Sequence, residues 1–362
     1  MRTCTRCIMN DSADPTITFD ENGYCNYCTD ALAKINTTAY FPNEEGEKRL
    51  HALLDQVKKS GEGKPYDCIM GISGGLDSAY LAYLGWTWGL RILAVHVDDG
   101  YDTDVSKENV CKLVEKAGIK MITVTPDAEQ YNALLLAYMR AGVPNLAVPQ
   151  DNILLKCLFD AVKEYKIPYF LSGDNFALEC VLQRGNTYQS MDVVNIRDIH
   201  KRFGTQPINK LKFISAYEKY YSTRVAGMHL EKPLNYIDYN RERAFRELKE
   251  FCGFEYYGRK HLENKFTAFL QLRWLPEKFG VDKRLSHLSS MIVSGQMTRE
   301  EALAEAARPI CEGVPMDEYV AEIKANMHLS DAEFEEIMRA PTHQHTEYKT
   351  DRLDAALRSV LH

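Results

Sequence analysis

The sequence has no apolar run approaching the roughly 18 to 20 residues a membrane-spanning helix needs, which argues against a membrane anchor. Its opening, Met1-Arg-Thr-Cys-Thr-Arg-Cys7, lacks the apolar core of a secretory signal, so the expectation is a cytoplasmic chain with reduced cysteines. A basic excess is missing too. Lys and Arg total 44 against 51 Asp and Glu, and the net charge of −7 disfavours a broad nucleic-acid footprint, although a local basic pocket remains compatible with it. No internal repeat is visible. The Walker A spacing G-x-x-x-x-G-K-[ST] is absent, which disfavours kinase or ATPase chemistry, and the chain carries no glutaminase nucleophile signature.

What is present divides a 362-residue chain into three parts. Residues 1–45 are polar and turn-rich, with too few apolar residues for a core of their own. They contain Cys4, Cys7, Cys25 and Cys28 in the pattern C-x2-C-x17-C-x2-C, the spacing of a four-thiolate zinc site. Four soft ligands leave no open position, so the site reads as structural, with Zn²⁺ supplying the folding energy that burial cannot. An iron–sulfur cluster or a redox pair is the competing reading. The other cysteines, Cys68, Cys111, Cys157, Cys180, Cys252 and Cys311, are scattered through apolar patterns; most read as core, whereas Cys180 is a candidate thiol nucleophile.

Residues 46–239 read as an α/β unit. After helical spacing at Leu50, Leu53, Leu54 and Val57 and a connector over Lys58 to Lys64, strands are predicted at 67–72, 91–98, 120–125 and 168–172. Helices are predicted after Ser78, over 104–117 and over 150–165. The alternation implies a Rossmann-like parallel sheet with ligands beyond its C-terminal strand ends. Three loops fall there: Ser73-Gly-Gly-Leu-Asp-Ser78, Asp98-Asp99 and Gly173-Asp-Asn175. The first is a strand, a two-glycine turn and a helix start, a geometry that gathers backbone N–H groups on an anion such as a pyrophosphate.

Residues 240–362 read as helical, with segments at 241–252, 298–307, 317–327 and 330–338. Thr298-Arg-Glu-Glu301 and Ser330-Asp-Ala-Glu333 fit capping boxes. The tail from Pro341 is short and polar and is expected to be mobile; His343 and His345 within it read as solvated rather than as metal ligands. Two basic or polar concentrations stand out. One contains Arg197, His200, Lys201, Arg202, Lys210, Lys212, Lys219 and Arg224, which fits either an anionic acceptor or a solvated face. The other runs from Tyr257 through Lys260, His261 and Glu263 to Thr267, ahead of Phe279-Gly-Val-Asp-Lys-Arg284, and periodicity does not explain it.

The Ser73–Ser78 loop resembles the signature of the PP-loop ATP pyrophosphatases. That resemblance implies an ATP-binding loop that grips the β- and γ-phosphates and leaves the α-phosphate open to adenylylation. Together with the cysteine-rich opening, Ser172-Gly-Asp-Asn-Phe-Ala-Leu-Glu179 and the stretch from Lys260 to Ala302, it resembles the N-acetyl sugar amidotransferases of bacterial surface-glycan synthesis, over most of the chain. The family's activity is ATP-dependent conversion of the acetamido group of a nucleotide-activated sugar to an acetamidino group, in lipopolysaccharide or flagellar glycan biosynthesis. AMP and pyrophosphate are released. Ammonia comes from a partner glutaminase and its cyclase-like subunit, or from free ammonium.

The resemblance implies site residues as well. Ser73, Gly74, Gly75, Leu76 and Ser78 would contact pyrophosphate, and Asp77 would hold Mg²⁺. Val97 would lie by the adenosine and Asp98 or Asp99 near the ribose, unless Asp98 and Asp99 merely start a turn. Gly173 and Asp174 would reach ATP or the metal, Asp174 being otherwise a plain turn aspartate. Lys260 or an arginine of the basic segment would serve the α-phosphate and His261 or Glu263 would take a proton, with a salt-bridged hinge as the alternative for Lys260, His261 and Glu263. Glu179, Arg197, Lys201, Arg202 and Arg224 are candidate acceptor ligands. One departure is Gly173-Asp174-Asn175, where the family often has Gly-Glu-Asn. A PP-loop sulfur transferase or tRNA thiolation enzyme is the rival reading, and a scaffold subunit of a glycan-synthesis complex is the non-enzymatic one.

Overall fold

The computed structural model describes residues 1–12 and 14–351. Five parallel strands form one sheet: β1 (Cys68–Gly71), β2 (Ile92–Val97), β3 (Lys120–Val124), β4 (Tyr169–Leu171) and β5 (His229–Glu231), in the order β3-β2-β1-β4-β5. Ile69 of β1 pairs with Leu93 on one side and Phe170 on the other. The chain leaves β1 towards β2 and returns on its other side with β4. The C-terminal ends of β1 and β4 therefore flank a crevice at the reversal of strand order, where ligands of such sheets bind.

The helices follow in order. The cysteine module carries α1 (Asn26–Lys34), and α2 (Glu44–Ser60) leads into the sheet. Then come α3 (Leu76–Thr87), α4 (Asp104–Ala117), α5 (Ala128–Ala141), α6 (Val148–Tyr165), the single turn α7 (Phe176–Glu179), α8 (Val193–Phe203), α9 (Ala216–Arg224) and α10 (Arg241–Cys252). Beyond them, α11 (Lys265–Phe269) runs through a π-helical turn at Leu270–Trp274 into α12 (Leu275–Phe279). The chain finishes with α13 (Arg284–Val293), α14 (Arg299–Ala306), α15 (Met316–Asn326) and α16 (Asp331–Arg339).

Alternation along β1 builds two layers. Cys68, Met70 and Ile72 pack with Leu54 of α2, Leu81 of α3, Leu113 of α4 and Leu248 of α10, while Ile69 joins Leu93, Val95, Leu158 and Phe159 on the face covered by α6. A third core, around Trp274, Phe266, Leu134 and Ile199, joins α5 and α8 to the C-terminal helices, and Trp274 Nε1 donates to Val143 O at 3.0 Å.

The four expected strands are present, and both capping boxes are complete, with Thr298 and Ser330 each exchanging bonds with the glutamate three residues on. The helices α1, α5, α7, α8, α9, α11, α12 and α13 and the strand β5 were not anticipated. β5 is only three residues long. α5 is buried on nearly every side, so its apolar residues show no single stripe. The expectation of a mobile tail is corrected as far as Asp351. Tyr348 OH donates to Ala141 O at 2.7 Å, and His345, expected to be solvated, is buried and stacked on Tyr188 with a ring separation of 4.4 Å. His343 pairs with Glu347 instead. The rest of that tail, 352–362, lies outside the described residues. Among the described residues no helix is long and apolar enough to cross a membrane.

Candidate active site

The phosphate turn is built by backbone geometry. Gly74 has φ +79°, and a Cβ there would lie 2.7 Å from Ser106 O, so the turn both needs the left-handed region and leaves no space for a side chain. Ser73 Oγ accepts the Gly75 N–H at 3.2 Å, and the Ser73 N–H donates to Ser78 Oγ at 3.3 Å. The helix α3 then starts at Leu76 without a side-chain cap, which directs the positive end of its dipole at the crevice. From β4, Gly173 closes in: a Cβ there would lie 2.9 Å from both Ser78 N and Ser78 Cα. The two loops after β1 and β4 thus touch, and they line a cleft of about 470 Å³.

Into this cleft the chain brings a charged cluster from distant positions. Lys260 Nζ lies 2.6 Å from Asp77 Oδ2 and 2.9 Å from Glu179 Oε1, and Tyr239 OH donates to Asp77 Oδ1. Burial alone would push Asp77 up, but Lys260 and Tyr239 bring it below the usual carboxylate range. Burial would likewise lower Lys260, yet the two carboxylates hold it above its ordinary value. For Glu179 burial wins over Lys260 and the shift is upward. Tyr257 OH accepts the Leu76 N–H at 2.8 Å, tying the segment before Lys260 to the phosphate turn.

Glu263 is placed by main chain. Its carbonyl accepts the Thr103 N–H at 2.9 Å and Lys265 N–H donates to Tyr101 O at 2.7 Å, a bridge between the loop after β2 and the start of the C-terminal region. Its Oε1 lies beside Gly75, and its Oε2 is buried without a partner. Burial pushes this carboxyl up to about 7. His261, at φ +65°, is 4.0 Å from both Glu179 and Glu263; burial and then the Lys260 charge hold it down to about 3, so its ring is neutral. A carboxyl poised near neutrality and lacking a fixed partner is the better proton acceptor of the two.

Several expected residues are placed differently. Val97 lines the cleft, but Asp98 does not: its Oδ1 accepts the Gly100 N–H at 3.1 Å in a local turn. Of the two aspartates it is Asp99 that faces the cleft, and it accepts from Tyr131 OH, Gln150 Nε2 and Asn264 Nδ2. Asp174 sits at the rim, mostly exposed, and pairs with Lys232 at 3.0 Å. Arg197, Lys201, Arg202 and Arg224 are exposed and line no part of this cleft. α8 turns Ile196 and Ile199 into the helical core and leaves its basic side chains outside, with Arg202 held by Asp198 at 2.9 Å. Cys180 is also corrected: it is absent from the cleft lining, its thiol is aimed at Ser290 O, and burial pushes it up to about 11, so it is not a thiolate.

Sequence reasoning missed Tyr239 and Tyr257, whose phenols reach the turn only through the fold. It also missed His96, which bridges Ile72 O at 2.8 Å and Asp102 at 3.1 Å behind the loop, and Asp151, which lines the cleft and is pushed up to about 7 by burial and then by Asp174. Lys283 lines the cleft as well, and the motif around it was the one available signal.

The four cysteines form a compact group that could hold a metal ion. All are buried, with Cys4 and Cys28 sulfurs 3.7 Å apart, Cys7 and Cys25 sulfurs 3.6 Å apart, and all four sulfurs within 4.8 Å of one another. Four bonds of ~2.3 Å to one tetrahedral ion need sulfur separations of ~3.8 Å, so the quartet fits a single ion. Backbone N–H groups of Cys7 and Cys25 point at Cys4 Sγ, at 3.4 and 3.2 Å. The module is anchored to the C-terminal helices by Arg299, which donates to the carbonyls of Cys7 and Cys4, and by Ile8 N–H on Ser289 Oγ.

Sheet order, loop and crevice define an α/β protein with a glycine-rich anion-binding turn at the reversal of strand order in a parallel sheet, a four-cysteine module at one end of the chain and a helical region at the other. Within that helical region, residues 263–360 match the family model described as LPS biosynthesis protein WbpG-like, C-terminal domain. No curated protein matches the chain. Among solved structures it is similar to NMN synthetase from Francisella tularensis, at 13% identity over 79% of this chain and 97% of that one, TM-score 0.37. It is also similar to NH3-dependent NAD synthetase from Campylobacter jejuni subsp. jejuni NCTC 11168, at 12% identity over 82% of this chain and 98% of that one, TM-score 0.35. A third is the U34-tRNA thiolase NcsA from Methanococcus maripaludis with its [4Fe-4S] cluster, at 16% identity over 87% of this chain and 92% of that one, TM-score 0.34.

Proposed function

We propose that this chain is an ATP-dependent, AMP-forming amidotransferase of lipopolysaccharide biosynthesis, converting the acetamido group of a nucleotide-activated sugar to an acetamidino group. The observation that carries the reading is the meeting of the phosphate turn with Lys260 and Glu263, at the point where the WbpG-like segment begins. An amide carbonyl is a poor electrophile with a poor leaving group, so it needs activation. Its oxygen attacks the α-phosphate of ATP and pyrophosphate departs into the N–H groups of the turn. Ammonia then attacks the imidate carbon, Glu263 takes the proton, the C–O bond breaks, and AMP leaves with the former amide oxygen. Lys260 steadies the α-phosphate charge.

For Mg²⁺, which is usually held by one or two carboxylates together with substrate phosphates, the cleft offers Asp77 and Asp174. Asp77 and Asp174 would hold it, Lys260 releasing Asp77 to do so, and the ion would offset charge on the departing pyrophosphate. In the cysteine quartet the ion would be Zn²⁺, in a closed structural site; the sulfur spacing for one ion supports this reading, whereas a multi-iron cluster spreads its thiolates over different metals. Ammonia arrives from a glutaminase and its cyclase-like subunit, with free ammonium as a substitute, and the reaction takes place in the cytoplasm.

The test is incubation with ATP, ammonium and nucleotide-linked N-acetyl sugars, followed by mass spectrometry for exchange of a carbonyl oxygen for an imino group. Sulfur incorporation, or no change in any N-acetyl sugar, contradicts the proposal.

A further inference from the structure

Lys283 and Arg284 are neighbours in Phe279-Gly-Val-Asp-Lys-Arg284 and are used in opposite ways. Arg284 is engaged by Asp282 at 2.7 Å and by the Arg308 carbonyl at 2.9 Å. Lys283 lines the cleft, and among the described residues its ammonium makes no hydrogen bond or ion pair. Burial lowers it to about 8, although the charges of Asp14 and Glu179 both favour its protonated form. One turn along α13, His287 lies near His261, with 5.3 Å between ring centroids.

The neighbouring wall is equally built. Asn186 and Thr187 line the same cleft from a loop seated on the cysteine module: the Arg184 N–H donates to Tyr27 OH at 2.9 Å, and a Cβ on Gly185 would lie 2.9 Å from Asp14 Oδ1. A cation held in a cleft without a partner is costly until a ligand supplies the opposite charge. The basic segment that the sequence offered for this purpose lies elsewhere, on α8, on α9 and on the connection between them, and none of its basic residues lines the cleft.

We propose that Lys283, flanked by His287 and His261, is the anion-recognition point of the acceptor subsite. It takes an oxyanion carried by the acceptor, either a carboxylate on the sugar or the diphosphate that links it to a nucleotide. This rests on the sugar-acceptor reading above and adds a residue and a charge requirement to it. An acceptor anchored there shares the cleft with Lys260 and Glu263 while leaving the phosphate turn to ATP.

Calorimetric titration of the full chain tests it with two probes. UDP-N-acetylglucosamine offers the diphosphate without a carboxylate, and N-acetylneuraminic acid offers the carboxylate without a phosphate. The Kd of at least one is expected to rise about 10- to 100-fold in Lys283→Gln, the scale of one charge-assisted hydrogen bond, and to recover in Lys283→Arg. Which probe responds identifies the anion. Binding of a non-hydrolysable ATP analogue should be unchanged in both variants. The proposal is overturned if neither probe binds the wild type more tightly than Lys283→Gln, or if the ATP analogue loses as much affinity as the probe. Because no turnover is needed, probe binding through Lys283 without amidine formation would sink the enzymatic reading alone, and amidine formation with Lys283-independent binding would sink this one alone.

Discussion

Lys260 Nζ lies 2.6 Å from Asp77 Oδ2, joining residues 183 positions apart, and this ion pair locks the phosphate turn to the segment that opens the C-terminal region. It is largely shielded from water, with 13% and 18% of the two side chains accessible. Removing Lys260 leaves the carboxylates of Asp77 and Glu179 without their shared cation.

Lys260→Ala should therefore lower both stability and turnover. We expect a stability loss of up to about 3 kcal/mol, below the full cost for a completely buried pair, and a fall in kcat of about 10²- to 10³-fold. Asp77→Asn should weaken the Mg²⁺ dependence of turnover as well. Denaturant titration and steady-state kinetics check both; wild-type kcat in Lys260→Ala would show that the pair is only a hinge.

Gly173→Ala places a methyl group against the Ser78 backbone, where no flexible atom can yield. The loops after β1 and β4 must separate, so ATP affinity is expected to fall about tenfold or more. Equilibrium binding of ATP measures this, and unchanged affinity would remove Gly173 from the nucleotide site.

Glu263, pushed up to about 7, acts as a base only when deprotonated. Activity should accordingly rise as pH increases through about 7 and level off above it. In Glu263→Gln that limb should vanish along with about 10²- to 10⁴-fold of the rate. A pH profile of kcat decides, and a limb that persists in the variant assigns the proton transfer elsewhere, His261 being the next candidate.

Cys4→Ser removes one ligand of the quartet. The module has no large core of its own and carries the wall that ends in Asn186 and Thr187, so metal content should drop and thermal unfolding should begin at lower temperature. Elemental analysis and calorimetry report this. One zinc per chain in the wild type and none in the variant is the expected result, while an iron content with visible absorption would replace zinc by a cluster.

The fold was legible where periodicity is clean. Strands of alternating or continuous apolar residues and helices with caps, such as Asp104–Ala117 and Arg241–Cys252, coincide with expectation. α5 was hidden because it is buried on nearly all sides, and β5 because three residues carry no pattern. At the site, Ser73 to Ser78 and the cysteine quartet were readable because backbone turns and metal ligation demand fixed local spacing. Tyr239, Tyr257 and Lys283 were not, since their contribution depends on long-range packing. The basic run from Arg197 to Arg224 misled for the same reason: charge density along a chain does not say which face of a helix points at a cleft.

The most direct measurement of the central claim is the fate of the acetamido oxygen. With a heavy-oxygen label in the carbonyl of the N-acetyl sugar, the account predicts that the label leaves in AMP, with pyrophosphate as the other ATP product and an unlabelled amidine on the sugar. ADP and phosphate as products, or label retained on the sugar while AMP forms, would contradict it.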